Sequence, residues 1–237
     1  MRVFVLTGAG VSAESGLGTF RDPDGLWTRV DLQEVATPEG FARDPAKVHA
    51  FYNARREGLL GARPNAAHAA LARLEAGLAA RGGALFLCTQ NIDDLHEKAG
   101  SRRVTHMHGE LGRIRCAGCG AVVRWSEPLS TETACPVCGV AGELRPHVVW
   151  FGEMPLEMDE IAAALAQADL FVAIGTSGAV YPAAGFVADA RALGVCTVEI
   201  NLAPSDNAWM FDELICGPAS EAVPTWVDSL LGDDAPA

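Results

Sequence analysis

A short apolar run that ends in a glycine-rich turn places the strongest constraint on how this chain can fold. Residues 3–6, Val-Phe-Val-Leu, are typical of a buried strand, and Gly8-Ala9-Gly10 follows them after one residue. A segment compatible with a helix begins at Val11. A strand that enters a helix through Gly-x-Gly can bring backbone N–H groups and the positive helix end to a dinucleotide pyrophosphate. Ala13 replaces the third glycine of the full pattern, and an ordinary glycine-rich turn is an equal alternative.

The rest of the chain alternates between predicted strands and predicted helices. Apolar runs predict buried strands over 84–89, 170–174 and 195–200, and shorter extended segments over 104–108 and 147–151. Helical spacing and capping residues predict helices in pieces over 32–61, and over 65–80, 158–168, 183–193 and 218–231. The alternation predicts an α/β fold with a Rossmann-like, doubly wound, mostly parallel sheet. We expect this sheet to use residues 1–112 and 145–237, with a helical insertion over 26–64.

Small or polar residues follow four of the predicted strands. They are Gly8-Ala9-Gly10, Gln90-Asn91, Gly175-Thr176-Ser177 and Asn201. Because ligands of doubly wound sheets bind beyond the carboxyl ends of the strands, these residues fall where a cofactor must lie. Asp93 has a simpler alternative role, since it can cap a short helix within 90–100, on whose surface we expect His96 and Glu97.

Four of the seven cysteines form two close pairs. Fifteen residues separate Cys116-x-x-Cys119 from Cys135-x-x-Cys138. Four thiolates at this spacing complete a closed tetrahedral site, which leaves no position for water and indicates one structural zinc ion per chain. The zinc would replace the hydrophobic core that a small module over 113–144 lacks. A redox site is disfavoured because the two pairs occur together, and the lone Cys88, Cys196 and Cys216 are expected to be small core residues.

Composition narrows the classes of partner. The net charge of −12 argues against a nucleic-acid-binding surface and is compatible with a basic, lysine-bearing peptide. The first apolar run is too short for a signal peptide, and the most apolar region, 161–174, is interrupted by Gln167 and Asp169. We expect a cytoplasmic protein with no membrane partner. We also expect a monomer.

Several motifs, which follow one another along the chain, resemble those of a known family. Residues 12–16, Ser-Ala-Glu-Ser-Gly, and residues 19–22, Thr-Phe-Arg-Asp, resemble the opening signature of the sirtuins, the NAD-dependent protein lysine deacylases. Residues 89–93, Thr-Gln-Asn-Ile-Asp, and His108-Gly109-Glu110 match further family elements, and the family also carries a four-cysteine zinc module here. Gly18 departs from the proline that the family usually has. The resemblance is to bacterial deacylases of the desuccinylase and demalonylase type.

The resemblance implies a role for each matching residue. His108 would be the catalytic general base, which suits an imidazole that titrates near neutral pH, and His106 would be structural. Val149, Phe151 and Gly152 would bind the substrate by strand pairing, although the first two could simply be core residues. The residues implied to bind NAD are Gly8, Ala9, Gly10, Ser12, Ala13, Glu14, Thr19, Phe20, Arg21, Asp22, Trp27, Gln90, Asn91, Ile92, Asp93, Gly175, Thr176, Ser177, Asn201, Leu202 and Ala219.

Tyr52 and Arg55 bear on acyl selectivity. They are three residues apart, so they share one face of a helix, which by itself would be an ordinary solvated face. Sirtuins of the desuccinylase type carry Tyr-x-x-Arg at this point, where it lines the acyl pocket. A guanidinium fits a carboxylate bidentately, a tyrosine hydroxyl can donate to it, and the small Ala36 would leave the pocket long.

The implied activity is therefore NAD-dependent removal of succinyl, malonyl and acetyl groups from protein lysine side chains. Its products would be nicotinamide, 2′-O-acyl-ADP-ribose and free lysine, and its partners would be acyl-lysine proteins or peptides. A mono-ADP-ribosyltransferase that uses the same NAD site is one alternative. A non-catalytic NAD-sensing module is another, which the presence of His108 disfavours.

Overall fold

A parallel sheet of six strands forms the centre of this structure, a computed structural model that describes residues 1–18 and 31–232. The strands are β1 (Arg2–Thr7), β2 (Ala84–Thr89), β3 (Val104–His106), β4 (Gly109–Cys116), β5 (Val122–Arg124), β6 (Leu144–Val148), β7 (Leu170–Ile174), β8 (Cys196–Asn201) and β9 (Glu213–Cys216). The helices are α1 (Gly10–Ala13), α2 (Leu32–Val35), α3 (Pro38–Arg43), α4 (Pro45–Gly61), α5 (Ala66–Ala80), α6 (Leu95–Lys98), α7 (Met158–Leu165), α8 (Phe186–Ala192) and α9 (Ala219–Leu231).

The strand order creates a crevice near the middle of the sheet. The order is β3-β2-β1-β7-β8-β9, and every neighbouring pair is parallel. The chain moves outward from β1 to β3 on one side, and from β7 to β9 on the other side. The order therefore reverses between β1 and β7, and such a switch point is where doubly wound sheets bind their ligands.

Helices cover both faces of this sheet. On one face, Val5 of β1 packs in a buried cluster with Leu74 of α5 and Val227 of α9. On the other face, Phe4 packs in a second cluster that includes Ile161 of α7 and Phe186 of α8. Because side chains alternate along a strand and both faces are buried, the strands need continuous apolar runs. The predicted α/β, Rossmann-like fold is confirmed.

The segment before α5 is helical in pieces, as predicted. Proline occupies the first turn of α3 and of α4, where its missing N–H costs nothing. The Thr37 hydroxyl accepts a hydrogen bond from the Gly40 N–H, and the Asp44 carboxylate accepts one from the Lys47 N–H. These caps fix where the two helices begin. The buried side of α4 packs in a third cluster with the residues that follow β6.

The four cysteines lie in and beside a separate antiparallel sheet of order β5-β4-β6. It packs its own small buried cluster, which contains Ile114, Leu129 and Leu144. The predicted module bounds fall inside β4, at 113, and at the first residue of β6, at 144. The division of the chain into domains stays a prediction.

Some details of the prediction are wrong. Strand β9 was not predicted, and β3 ends at His106 rather than at 108. Cys88 is buried as expected, but Cys196 and Cys216 are exposed because each occupies a strand end near the solvent. Within the described part of the chain, no helix has both the length and the apolar character that crossing a membrane requires.

Candidate active site

The site lies at the switch point, where backbone hydrogen bonds join the glycine turn after β1 to the glycine turn after β7. The N–H of Gly8 donates to the Ile174 carbonyl at 2.9 Å, and the N–H of Gly10 donates to the Gly175 carbonyl at 2.9 Å. A Cβ atom at Gly8 would lie 2.7 Å from the Gly175 oxygen, so a side chain there would separate the turns. Gly175 itself has a φ of +62°, which favours glycine. The glycines bring the ends of β1 and β7 together.

The first turn of α1 departs from one expectation. Its N–H groups do not point outward to a phosphate, because those of Gly10, Val11 and Ser12 donate to the carbonyls of Gly175, Gly8 and Ala9 at 2.9 to 3.1 Å. Helix α1 is a single turn of 4 residues, so these groups are used within the turn and by the neighbouring strand end. The expectation that this turn binds an anion through these three N–H groups is therefore not supported by their geometry.

Polar side chains from two segments, α1 and the loop after β2, meet next to this turn. The amide of Asn91 donates to the Gly8 carbonyl and to the Ser12 hydroxyl, each at 3.1 Å. The Ser12 hydroxyl donates in turn to the Asp93 carboxylate at 3.1 Å. Burial raises the pKa of Asp93, although its hydrogen bonds from the Leu95 N–H and from Ser12 act in the opposite direction. The structure thus brings Ser12, Asn91 and Asp93 together, as the sequence predicted.

A second layer of polar residues supports this network, and local sequence patterns do not predict it. His96 was expected at the surface but is buried, and its Nε2 lies 3.0 Å from the Thr7 hydroxyl. Thr7 donates to the Thr89 hydroxyl at 2.9 Å, and Thr89 accepts the Asn91 N–H at 3.0 Å. The fully buried His68 places its Nε2 3.5 Å from Ser12 Oγ. Burial lowers the pKa of His68 to about 4 and that of His96 to about 3, so both rings are neutral.

His108 lies just beyond the end of β3 with one ring nitrogen already engaged. Its Nδ1 lies 3.0 Å from the Gln90 carbonyl oxygen. A carbonyl can only accept, so Nδ1 carries the proton and Nε2 keeps its lone pair. Burial lowers the pKa of His108, and the bond to Gln90 offsets this shift in part. The geometry therefore leaves Nε2 able to accept a proton near neutral pH.

His106 differs from His108 in its partners. Its Nε2 lies 2.7 Å from the Glu97 carboxylate, and its Nδ1 lies 3.3 Å from the Asn91 carbonyl. Burial alone would lower the pKa of His106, but the hydrogen bond and charge of Glu97 raise it above its usual value. Two acceptors match a doubly protonated ring. This arrangement agrees with the structural role expected for His106.

The far side of the crevice carries the other residues expected to bind the cofactor. The Asn201 amide donates to the Thr176 carbonyl at 2.8 Å, which links the ends of β7 and β8. The Glu14 carboxylate accepts the N–H and the hydroxyl of Ser220 at 2.9 and 2.8 Å, next to Ala219 at the start of α9. Leu202 is exposed. The expected residues Thr19, Phe20, Arg21, Asp22 and Trp27 lie outside the described residues.

The residues expected to contact the acyl group lie where α4 meets the segment after β6. Tyr52 is buried and its hydroxyl oxygen accepts a hydrogen bond from Trp150 Nε1 at 2.9 Å. Burial lowers the pKa of Arg55, while the nearby Tyr52 and the Asp93 carboxylate raise it. Arg55 thus lies within electrostatic range of the polar network at the crevice, which connects the two parts of the site.

The segment expected to bind the substrate runs beside the base. The Val149 N–H donates to the His108 carbonyl, and the Phe151 N–H donates to the Ala36 carbonyl, each at 2.9 Å. Val148 and Trp150 point into the buried cluster, whereas Phe151 is 45% exposed. Phe151 is therefore not a core residue, whereas Val149 is half-buried, so the core alternative stays open for Val149.

The four cysteine thiols converge on one point. All four Sγ atoms lie within 4.8 Å of one another, and the pairs Cys116–Cys138 and Cys119–Cys135 are each 3.8 Å apart. A tetrahedral zinc with Zn–S bonds of about 2.3 Å requires S···S separations of about 3.8 Å. The spacing thus fits a four-thiolate zinc site.

Comparison with known proteins agrees with this fold. The model of the Sir2 family matches residues 8–182. An "NAD-dependent protein deacylase" of Caulobacter vibrioides is 70% identical over 231 residues, which cover 98% of this chain and 97% of the relative. An "NAD-dependent protein deacylase" of Escherichia coli strain K12 is 57% identical over 97% of this chain and 82% of its own length.

Solved structures give the same result. A crystal structure titled as a Sir2 homolog–NAD complex has a TM-score of 0.86 and 39% identity, and the match covers 98% of this chain and 91% of that chain. The α/β fold is therefore shared with that structure. The chain belongs to the Sir2 family, the sirtuins.

Proposed function

We propose that this chain is an NAD-dependent protein-lysine deacylase that removes succinyl and malonyl groups and retains some deacetylase activity. Deacylation follows from membership in the Sir2 family and from the names of its relatives, which are similar over nearly the whole chain. The products are nicotinamide, 2′-O-acyl-ADP-ribose and free lysine. The acyl preference rests on Tyr52 and Arg55.

The observation that carries the proposal is the one-sided engagement of His108. Its Nδ1–H donates to the Gln90 carbonyl, so the ring is held in a fixed orientation with Nε2 as the free base. Burial lowers its pKa, so the neutral form predominates at pH 7. General bases of this kind contribute about 10²–10⁴-fold to a rate. A ring held at the crevice is suited to take a proton from a ribose hydroxyl.

The residues of the crevice suit the nicotinamide end of NAD. Bound NAD supplies the leaving group and the ribose carbon that reacts, and the protein supplies orientation and exclusion of water. Ser12, Asn91 and Asp93 form one connected, largely buried set that can present an amide, a hydroxyl and a carboxylate. Thr176 and Asn201 would hold the remainder of the dinucleotide at the ends of β7 and β8. Gln90 is fixed to the Thr7 carbonyl by its own N–H at 2.9 Å.

The four cysteines would hold one structural zinc ion. Their S···S spacing fits a closed tetrahedron, which leaves no coordination position for water. The zinc would stabilise the small sheet of β4, β5 and β6, whose buried cluster contains few apolar residues. It would take no part in the chemistry at His108.

The acyl preference is supported by the placement of Arg55. Arg55 lies in the middle of α4, and its guanidinium interacts electrostatically with the Asp93 carboxylate of the crevice. Tyr52 lies one turn earlier on the same helix. A succinyl or malonyl carboxylate could accept from both side chains, and each bond to a charged group contributes about 1.5–3 kcal/mol.

The test is incubation with NAD and a matched set of acetyl-, malonyl- and succinyl-lysine peptides, read by mass. We expect loss of the acyl group, with one nicotinamide released for each lysine freed, and faster turnover of the two acidic acyl groups. Peptides that gained ADP-ribose would identify a mono-ADP-ribosyltransferase. NAD binding without turnover would contradict the proposal, and His108→Ala serves as the matched inactive control.

Three expectations about the setting of the enzyme stay proposals. We propose that it acts as a monomer, in the cytoplasm, and without a nucleic-acid partner. The net charge of −12 supports the last point, because an acidic surface repels phosphates. Size-exclusion chromatography with light scattering would test the first.

A further inference from the structure

We infer that Trp150 is a positioning residue for acyl selectivity, because its indole N–H orients the Tyr52 hydroxyl toward an acidic acyl group. The inference rests on the proposed function and deepens it. The indole Nε1 donates to the Tyr52 oxygen at 2.9 Å across 98 positions of the sequence. Both side chains are 2% exposed, so water does not compete for this bond.

The chemistry of the two groups fixes the direction of the bond. An indole N–H can only donate, so the Tyr52 oxygen must be the acceptor and its own proton remains available to a second partner. Burial raises the pKa of Tyr52 to about 12, which keeps that proton in place at neutral pH. Without Trp150, the hydroxyl could rotate and use its proton elsewhere. With it, the hydroxyl is a donor of fixed direction beside Arg55.

Trp150 is itself held by an ion pair rather than by apolar contact alone. The guanidinium carbon of Arg145 lies 3.2 Å from the centre of the Trp150 ring. The Glu153 carboxylate accepts from Arg145 Nη1 at 2.7 Å, from Arg145 Nη2 at 3.0 Å, and from the Trp150 N–H at 2.9 Å. One carboxylate thus fixes both the backbone of Trp150 and the cation stacked on its ring.

A purely structural role and a positioning role for Trp150 have different consequences for the turnover of different acyl groups. If the ring only fills the cluster that it shares with Val35 and Leu95, its loss should weaken turnover of every acyl group alike. If it orients Tyr52, its loss should weaken only acyl groups that carry an acceptor for the Tyr52 proton. The ratio of kcat/KM for succinyl-lysine to that for acetyl-lysine separates these cases.

The experiment removes the indole N–H in two ways in the full-length, zinc-loaded protein. Trp150→Phe keeps an aromatic ring, and benzothienylalanine at position 150 keeps the bicyclic shape while sulfur replaces the N–H. We expect each to lower the succinyl-to-acetyl ratio about threefold to tenfold, mainly through a higher KM for succinyl-lysine. Trp226→Phe, another buried tryptophan in the distant core of α9, is the matched control and should leave the ratio unchanged.

A double-mutant cycle with Tyr52→Phe completes the test. Because Trp150 acts through the Tyr52 hydroxyl, the benzothienylalanine exchange should have no further effect on the ratio once that hydroxyl is gone. An undiminished effect in the Tyr52→Phe background would overturn the inference, as would an equal fall for both acyl groups or an unchanged ratio. Absence of desuccinylation in the unaltered protein would instead contradict the proposed function, before any variant is compared.

Discussion

The crevice of the large sheet and the proposed acyl side of the site, which consists of Tyr52, Arg55 and Trp150, are stabilised in different ways. At the crevice, Ser12 and Asn91 belong to a connected set of hydrogen bonds that extends through Thr89 and Thr7 to the buried His96. On the acyl side, Tyr52 packs in an apolar cluster and receives one hydrogen bond, from Trp150. The groups proposed for the chemistry thus share many hydrogen bonds, whereas among the described residues the Tyr52 hydroxyl has one hydrogen-bond partner. Single substitutions near Tyr52 should therefore change the selectivity between acyl groups and leave the NAD chemistry intact.

His108→Ala should have the largest effect and should not distinguish between acyl groups. Loss of the general base lowers the turnover of acetyl- and succinyl-lysine by about 10²–10⁴-fold, because both pass through the same proton transfer. NAD binding, measured by calorimetry, should remain close to that of the parent. A variant that lost activity for only one acyl group would contradict the division between crevice and acyl side.

Removal of zinc should damage the acyl side more than the crevice. The Asn53 side chain, one turn from Arg56 on α4, donates to the Leu129 carbonyl and accepts the Leu129 N–H, each at 2.9 Å. Leu129 packs in the same cluster as Cys116 and Cys135, so loss of the metal should loosen α4 through Asn53. We expect Cys116→Ser or chelation to lower the melting temperature and the turnover of acyl peptides.

NAD affinity should fall less than turnover in that experiment. Elemental analysis of protein purified without chelator should find one zinc per chain. Protein without zinc that keeps full stability would show that the four thiols are not a metal site.

The pH dependence should report on His108. Because burial lowers its pKa, the neutral base predominates above that lowered value, and kcat/KM should fall tenfold per pH unit only below it. The acid limb of the profile should therefore lie below pH 6.5, for acetyl- and succinyl-lysine alike. Circular dichroism over the same range separates titration from unfolding, and an acid limb centred above 6.5 would count against the free, buried base.

A smaller effect should come from His106 and appear in stability. Its pKa is raised in the folded protein, so the charged ring bonded to Glu97 contributes stability that is fully present below pH 6.5 and is lost as pH rises through the folded pKa. His106→Gln should remove this part of the pH dependence of the melting temperature. The pair is partly exposed, so we expect less than about 1 kcal/mol. An unchanged pH profile in the variant would show that the pair contributes nothing.

The sequence predicts the crevice far better than the acyl side. Strands β2 and β7 have the predicted bounds, because burial on both faces requires a continuous apolar run that is visible in one dimension. The polar residues that follow those strands meet because parallel strands share one carboxyl edge. Edge strand β9 is not predicted because Glu213 and Leu214 are exposed, and its apolar run is only three residues long.

Local sequence patterns do not predict contacts between distant segments of the chain. The burial of His96 is not predictable from one turn of helix, which gives no reliable periodicity, because it depends on Thr7, 89 positions earlier. Thr7, a polar residue that continues an apolar strand, was the one signal that a partner had to exist. Trp150 was visible only as part of an extended segment, and its role depends on Tyr52 of α4.

We expect acyl preference and NAD chemistry to be carried by separable parts of the molecule. This expectation is tested by measuring kcat/KM of the parent and of Arg55→Met for succinyl- and acetyl-lysine peptides of identical sequence. Loss of the guanidinium should lower desuccinylation about ten- to a hundredfold and spare or improve deacetylation, because only the succinyl group has a carboxylate for Arg55 to bind. A variant that turned over succinyl-lysine as well as the parent, or that lost both activities together, would contradict this expectation.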